Sequence, residues 1–223
     1  MAILAAAGVL ALCSPPAWSN PIATVTYRGT ATSIQDSTDF FGLAPGITEA
    51  SYTDTFVFDL ARGTHVTNQP WDQVYGGGAW NTSSPLLKSE LTINGHTVVF
   101  SGGYGDEDYI QQGYLADAYA DDYQPQNDFW ALNYQIIFVN GPALLTTPFS
   151  VTGEGRGSFF VCRPISACGG TGYVAYGDFS PASIDVSFKD GVPEPAVWSM
   201  MLVGLAGLGG AIRSQRDRGR TAS

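Results

Sequence analysis

The sequence predicts an all-β protein: an antiparallel β-sandwich or jelly-roll-like body followed by a C-terminal transmembrane helix. Apolar and polar residues alternate through several short segments, and clusters of Gly, Pro, Asn and Asp separate those segments. Near the C-terminus, an uncharged apolar run ends in a cluster of arginines, which is typical of a membrane-spanning helix. Outside the two chain ends, no helical periodicity of useful length and no internal repeat is found.

The first strand signals lie in the N-terminal half of the body. Residues 24–32 and 52–60 alternate between apolar and polar side chains, which is the period of a half-buried strand. Residues 91–100 contain the pair Asn94-Gly95 between two apolar runs. Both of these residue types tolerate a positive φ, so the pair predicts a tight hairpin turn.

The C-terminal half of the body carries the longest strand signals. Residues 129–139 are apolar enough for a central strand, and residues 182–188 alternate without a break. Shorter signals lie at 158–162 and 172–176, whereas residues 109–123 fit a short helix or a loop. Several short strands separated by turns predict a β-sandwich or a jelly roll.

The body ends at a proline-bracketed segment. Pro193 and Pro195 lack an N–H donor and fix φ, so they end the preceding strand. Residues 196–212 are then 17 uncharged residues, mostly apolar, at the short end of what spans a bilayer. Trp198 lies near one end of this run, where an amphipathic ring favours the membrane interface. A buried core helix of a soluble protein is the alternative.

A cluster of arginines follows the apolar run and favours the membrane helix over that alternative. The four residues are Arg213, Arg216, Arg218 and Arg220. Because positively charged flanks stay in the cytoplasm, the body is expected outside the inner membrane.

Together, these C-terminal residues resemble the PEP-CTERM sorting signal of Gram-negative bacteria. The residues that carry the resemblance are Pro193, Glu194, Pro195, Trp198, Arg213, Arg216, Arg218 and Arg220. It covers only the C-terminal tail of the chain, and it implies recognition and cleavage by an exosortase, a membrane protease-transpeptidase. It also implies a protein of the cell surface or the biofilm matrix in bacteria that make exopolysaccharide. The helix would then be a temporary anchor in the inner membrane.

The N-terminus predicts a secretory signal peptide. An apolar run is followed by small residues at Ala17 and Ser19, although the basic region that usually precedes such a run is missing. A short buried N-terminal helix is the alternative. We therefore expect a signal peptide at 1–19, a β-sandwich body at 20–190 and a sorting signal at 191–223.

The charge of the body excludes some partners. Residues 20–192 carry six basic and eighteen acidic side chains. An acidic protein of this kind lacks the basic footprint that binds nucleic acid or an anionic membrane surface. This acidic charge is compatible with a soluble exported protein and with binding of divalent cations.

Two cysteines of the body predict a structural disulfide. Cys162 and Cys168 enclose five residues, and an oxidising compartment outside the inner membrane favours their pairing. A bridge over so short a loop stabilises the fold by about 2–3 kcal/mol. Because the spacing is not C-x-x-C, a redox role is not expected.

A stretch rich in acids is the candidate calcium site, since calcium takes oxygen ligands from carboxylates. The spacing matches no EF-hand, and a solvated acidic loop is the alternative. The candidate ligands are Asp106, Asp108, Asp117, Asp121 and Asp122. No other cofactor is expected.

Aromatic residues in polar or Gly-rich stretches are candidate carbohydrate contacts. Trp71, Tyr75 and Trp80 lie in such stretches, and their rings can stack on the apolar faces of sugars. The alternative is that the rings cover the ends of the core. Further tyrosines in similar surroundings are Tyr104, Tyr109, Tyr114, Tyr119 and Tyr123.

The sequence nominates no catalytic residue. His65 and His96 are the two histidines, each in a turn-like stretch, and no G-x-S-x-G motif is present. The predicted function is therefore a non-enzymatic, exported surface or matrix protein associated with exopolysaccharide. The alternatives are a carbohydrate-active enzyme on a jelly roll, favoured by a buried carboxyl pair in an aromatic cleft, and a structural matrix protein rigidified by calcium. An open aromatic face would favour the first.

Overall fold

A computed structural model shows most of the body of the protein. It describes residues 21–37, 39–68, 71–100, 108–113, 116–124, 127–139, 141–142, 145–167 and 175–190. The predicted signal peptide and sorting signal lie outside these ranges. Asn20–Asp190 form one compact unit. Within the described ranges, no helix is long and apolar enough to span a membrane.

Within the described residues, the body contains twelve strands joined by turns and loops. The strands are β1 (Pro21–Asp36), β2 (Ala50–Asp59), β3 (Thr64–Asn68), β4 (Trp71–Gly76), β5 (Leu86–Ile93), β6 (His96–Phe100), β7 (Asp108–Gln112), β8 (Ala116–Gln124), β9 (Phe129–Ile137), β10 (Phe149–Thr152), β11 (Gly155–Cys162) and β12 (Ala175–Asp190). Single-turn 3₁₀ helices lie at Gly78–Trp80 and at Ile165–Ala167. Every pair of strands is antiparallel, which confirms the all-β, antiparallel prediction.

All strands belong to one continuous sheet. Eleven of them follow the order β3-β4-β7-β8-β9-β11-β12-β1-β2-β5-β6, and β10 pairs with β12 beside this path. The long strands β1 and β12, 16 residues each, form its centre. Most neighbours in the sheet are also neighbours along the chain, as expected where short turns join antiparallel strands.

The sheet curls so that its two halves face each other. The hydroxyl of Tyr52 on β2 donates to Oε1 of Gln135 on β9 at 2.9 Å, although three strands separate β2 from β9 in the sheet. The hydroxyl of Tyr27 on β1 likewise reaches the backbone oxygen of Ala116 on β8, at 3.2 Å. These contacts place the concave side of the sheet around the core.

Aromatic rings fill much of that core. Phe56 is fully buried, stacks parallel to Phe58 at 6.1 Å between centroids and meets Tyr27 edge-on at 6.0 Å. Phe159 packs in the same core, 5.1 Å from Phe179. Such rings bury large apolar areas, so the core stabilises both halves of the sheet at once.

The predicted hairpin is confirmed, whereas one predicted helix or loop is wrong. Asn94 and Gly95 have φ of 52° and 79° and join β5 to β6. By contrast, residues 109–123 fall largely in β7 and β8 and form no helix in the described ranges. Alanine and aspartate have low strand propensity, but pairing on both sides of β8 overrides it.

Candidate functional site

Four tyrosines lie in register across four neighbouring strands. Tyr75 on β4 pairs with Tyr109 on β7, Tyr109 with Tyr119 on β8, and Tyr119 with Tyr134 on β9. We call these four positions the tyrosine row. Neighbouring strands lie about 4.8 Å apart, so the row extends over about 14 Å.

Side chains alternate between the two faces of a sheet along each strand. The row lies on the outer, convex side because the neighbouring residues on β8 and β9 face the core. On β8, Ala118 and Ala120 face the core and are fully buried, while Tyr119 between them is partly exposed. On β9, Asn133 and Gln135 are buried and Tyr134 between them is partly exposed. Tyr75, Tyr119 and Tyr134 therefore present their rings to the outside of the body.

A tryptophan extends the row beyond β4. Trp80 is 47% exposed, and its ring centroid lies 4.7 Å from that of Tyr75 in an edge-on arrangement. The 3₁₀ helix Gly78–Trp80 holds it there, and Asn81 ends that helix in the left-handed conformation, with φ 51°. The two predicted residues Tyr75 and Trp80 are thus brought together.

A second group of rings adjoins the row on β8, β9 and β11. Trp130 meets Tyr123 edge-on at 6.1 Å and Phe160 edge-on at 4.9 Å between centroids. The indole Nε1 of Trp130 donates to Oδ1 of Asp121 at 2.8 Å, which fixes the orientation of the ring. We call the tyrosine row together with Trp80, Tyr123, Trp130 and Phe160 the aromatic surface.

Tyr134 lies in a mixed electrostatic environment. Burial raises the pKa of its phenol, the charge of Asp117 acts in the same direction, and Arg156 acts against both. The hydroxyl therefore stays protonated at neutral pH and can donate a hydrogen bond. A shallow depression of ≈ 310 Å³ beside the ring is lined by Tyr134, Arg156, Gly157, Ser158, Asp178 and Phe179.

Sequence reasoning named five members of the aromatic surface, which are Tyr75, Trp80, Tyr109, Tyr119 and Tyr123. Trp71 lies four residues before Tyr75 on the same face of β4 and is partly exposed. Trp130, Tyr134 and Phe160 were missed because they lie within apolar runs that read as core. The period of two along a strand was the available signal, since every second residue of such a run faces outward.

The candidate calcium ligands do not lie in an open loop. Asp117, Asp121 and Asp122 are buried on β8, so for them the alternative of a solvated loop is wrong. Asp121 and Asp122 are consecutive and point to opposite faces of the sheet. Asp106 lies outside the described residues, and of Asp108 only the backbone position in β7 is described.

Calcium binding stays a prediction. Within the part of the chain that the structure describes, no group of three or more His, Cys, Asp or Glu side chains is arranged to hold a metal ion. A chelator should lower the melting temperature if calcium rigidifies the body, and a melting temperature that EDTA leaves unchanged would contradict the prediction.

A fully buried polar cluster joins the two halves of the sheet beneath the aromatic surface. Oδ1 of Asp54 on β2 accepts from Nδ2 of Asn133 at 2.9 Å, and its Oδ2 accepts from Nε2 of Gln135 at 2.9 Å. Ser89 on β5 donates to Asp54 at 3.4 Å and accepts from Asn133 at 2.9 Å. Oδ1 of Asn133 is buried without a hydrogen-bond partner.

Burial raises the pKa of Asp54 to about 7, against the hydrogen bonds from Asn133, Gln135 and Ser89, which act to lower it. Perturbed carboxyls of this kind occur in active sites. Asp54, however, is 0% exposed, and its hydrogen-bond partners are amides and a hydroxyl. A substrate cannot reach it, so its role is to join β2 and β5 to β9.

The two histidines lie at opposite ends of the sheet, His65 on β3 and His96 on β6. Nε2 of His65 lies 2.7 Å from Oδ1 of the buried Asp72, which also accepts from the hydroxyl of Thr67 at 2.8 Å. The other oxygen of Asp72 accepts from the backbone N–H of Leu145 at 2.9 Å. Asp72 thus fastens the β3–β4 hairpin to the segment that precedes β10.

Only one of the two cysteines of the predicted disulfide lies within the described residues. Cys162 is fully buried at the end of β11. Cys168 lies outside the described residues, so the pairing of the two cysteines stays a prediction.

Comparison with known proteins finds no relative. No protein-family model matches the chain, and no curated protein or solved structure matches it. The function is therefore argued from the residues and their geometry alone.

Proposed function

We propose that the body is a non-enzymatic glycan-binding module that attaches to exopolysaccharide at the cell surface or in the biofilm matrix. The observation that carries this proposal is the tyrosine row, four tyrosines in register on the outside of the sheet. An extended oligosaccharide presents successive apolar sugar faces, and tyrosines on neighbouring strands can contact these faces in turn.

Tyrosine and tryptophan suit this task for physical reasons. Each supplies a large apolar ring and a polar tip, and each loses little conformational entropy on binding because it has two side-chain torsions. Pairing within the sheet fixes the distance between the rings before the ligand arrives. An open face of rings also favours a binding module over an enzyme, which would need a carboxyl pair in a cleft.

The architecture supports a two-layer description of this module. Tyr52 and Asp54 on β2 bond to Asn133 and Gln135 on β9 across the core, so the halves of the curled sheet pack face to face. We propose that the body is organised as a β-sandwich of the jelly-roll kind, in which one sheet supplies both layers.

We also propose a route of delivery, on sequence alone. The tail from Pro193 to Arg220 resembles a PEP-CTERM signal, so the precursor would be exported, held transiently in the inner membrane and released by an exosortase. Intact mass of the native protein with and without the exosortase tests this. A mature protein that still carries Trp198 and the arginines would refute processing.

The binding proposal is tested with the full chain and a panel of oligosaccharides in titration calorimetry. Tyr119→Ala with Tyr134→Ala removes the two rings of the row whose centroids lie 6.1 Å apart. Each buried contact ring contributes at least about 1 kcal/mol to binding, so we expect affinity to fall by roughly 30-fold or more.

The matched control removes two side chains from the outer face of the other half of the sheet. Thr53→Ala with Thr92→Ala changes two neighbouring positions on β2 and β5 that lie in register. We expect glycan affinity to stay within about twofold of the parent, because surface changes remote from a contact have small effects. Equal losses in both double variants would contradict a binding role specific to the aromatic surface.

A further inference from the structure

We infer that the aromatic surface selects glycans without acidic groups and prefers those that carry free amino groups. This inference rests on the proposed glycan-binding function and names its ligand class. It follows from the charges that surround the tyrosine row.

Carboxylates flank the row at its middle. Asp117 and Asp121 precede and follow Tyr119 by two residues on β8, so all three lie on the same face of the sheet. Asp121 accepts a hydrogen bond from Trp130, and the charge of Asp117 acts on the phenol of Tyr134. Both carboxylates are buried, and they lie on the same side of the sheet as the rings.

A third carboxylate lies where the row ends. Tyr134 pairs in register with Ser158 on β11, and Ser158 pairs with Asp178 on β12. Asp178 is exposed and lines the shallow depression beside Tyr134. Arg156 is the cation of this group and lines the same depression.

Among the described residues on this side of the sheet, these are three carboxylates and one guanidinium. The body as a whole has eighteen acids and six basic residues between positions 20 and 192. At physiological ionic strength, charges interact over about 8 Å, so a ligand lying on the row is close enough to be affected. A uronic or sulfated glycan would be repelled. A neutral glycan would not be affected, and an ammonium group at the end of the row would meet Asp178.

The test compares three oligosaccharides of the same length on the full chain: a neutral cello-oligosaccharide, a deacetylated chitosan oligosaccharide and an oligogalacturonate. Titration calorimetry at low and at physiological salt should rank the affinities in the order amino, neutral, acidic. Added salt should narrow the differences, because it screens exposed charges.

One variant addresses the amino preference directly. Asp178→Asn should weaken binding of the chitosan oligosaccharide roughly 2- to 5-fold, as expected for an exposed ion pair, and leave the neutral ligand unchanged. The matched control is Asp185→Asn, an exposed acid on the same strand that lies in register with Thr26 of the other half. It should change neither affinity.

The outcomes separate this inference from the function on which it rests. If the oligogalacturonate binds as tightly as the neutral ligand, the selectivity is wrong while glycan binding stands. Equal affinities of the amino and neutral ligands would overturn the role assigned to Asp178. If none of the three binds, the proposed function itself fails.

Discussion

The two halves of the sheet share one core but present different chemistry on their outer sides. The tyrosine row crosses β4, β7, β8 and β9, and a corresponding row of Thr53, Thr92 and Thr97 crosses β2, β5 and β6. Each half also carries a shallow depression of similar volume, ≈ 310 Å³ on the aromatic side and ≈ 360 Å³ beside the threonines. Cavity volume therefore does not distinguish the two sides.

Hydrogen bonding does distinguish them. The hydroxyls of Thr92 and Thr97 lie 2.7 Å apart, and those of Thr26 and Thr55 lie 3.2 Å apart, so these threonines bond to each other across strands. Rings of the aromatic surface instead contact one another edge-on, as Trp130 does with Tyr123 and Phe160, and these three stay partly exposed. The two halves therefore differ in the residues that face outward, and the proposed glycan binding rests on that difference.

The largest expected effect on stability comes from the core that the two halves of the sheet share. Phe56→Ala removes a fully buried ring that contacts Tyr27 and Phe58. We expect the free energy of unfolding to fall by about 3–5 kcal/mol, because the cavity cannot close completely. Tyr119→Ala, on the surface, should cost about 1 kcal/mol or less in stability. Urea unfolding would measure both, and similar losses would show that the outer rings belong to the core.

The next largest effect is a dependence of the stability on pH, which arises from the buried polar cluster that joins the halves of the sheet. Because burial raises the pKa of Asp54 to about 7, the folded protein holds this proton more tightly than the unfolded chain does. The protonated Asp54 therefore contributes its full stabilisation below the unfolded pKa near 4. This stabilisation, up to about 4 kcal/mol, is lost as the pH rises through about 7.

Urea unfolding between about pH 4 and about pH 8 checks this prediction. Asp54→Asn has no proton to lose, so its stability should vary less over the same range than that of the parent. If parent and variant show the same slope, a group other than Asp54 is responsible. The halves of the sheet would then not be joined by a proton-dependent contact.

A smaller difference in stability is expected when hydrogen bonds are removed from the outer sides of the two halves. Trp130→Phe keeps a ring but removes the N–H donor to the buried carboxylate of Asp121. We expect a loss of about 1.5–3 kcal/mol, since a charged acceptor is left without one of its donors.

The matching change on the other side is Thr92→Val with Thr97→Val. It removes both partners of an exposed hydrogen bond at once. We expect a change in stability within about 0.5 kcal/mol, because no buried group loses its partner. Thermal unfolding of both variants tests the pair, and a larger loss for the threonine change would reverse the comparison.

Strand alternation made part of this fold predictable. The period of two in residues 182–188 and the Asn94-Gly95 turn both correspond to observed elements, in β12 and in the β5–β6 hairpin. The strand β8 was missed because its sequence consists largely of alanine and aspartate, which carry little strand signal on their own. Its conformation depends on its neighbours in the sheet.

The candidate site was less predictable than the fold. Tyr75 was singled out by its polar surroundings, but its alignment with Tyr119 and Tyr134 depends on the pairing of β4 with β7, of β7 with β8, and of β8 with β9. Local patterns do not specify pairing between distant strands. For the same reason, the hydrogen bond between Asp54 and Gln135, 81 residues apart along the chain, could not be foreseen.

The register of the tyrosine row has a consequence for the timing of activity. Its four members come from four different strands, so an extended chain contains every ring but none of the alignment. If the body binds polysaccharide as we propose, a polypeptide in transit through a membrane would pass the polysaccharide without being retained by it. Capture would begin only when the sheet has formed, and adhesion would then report that the protein has folded.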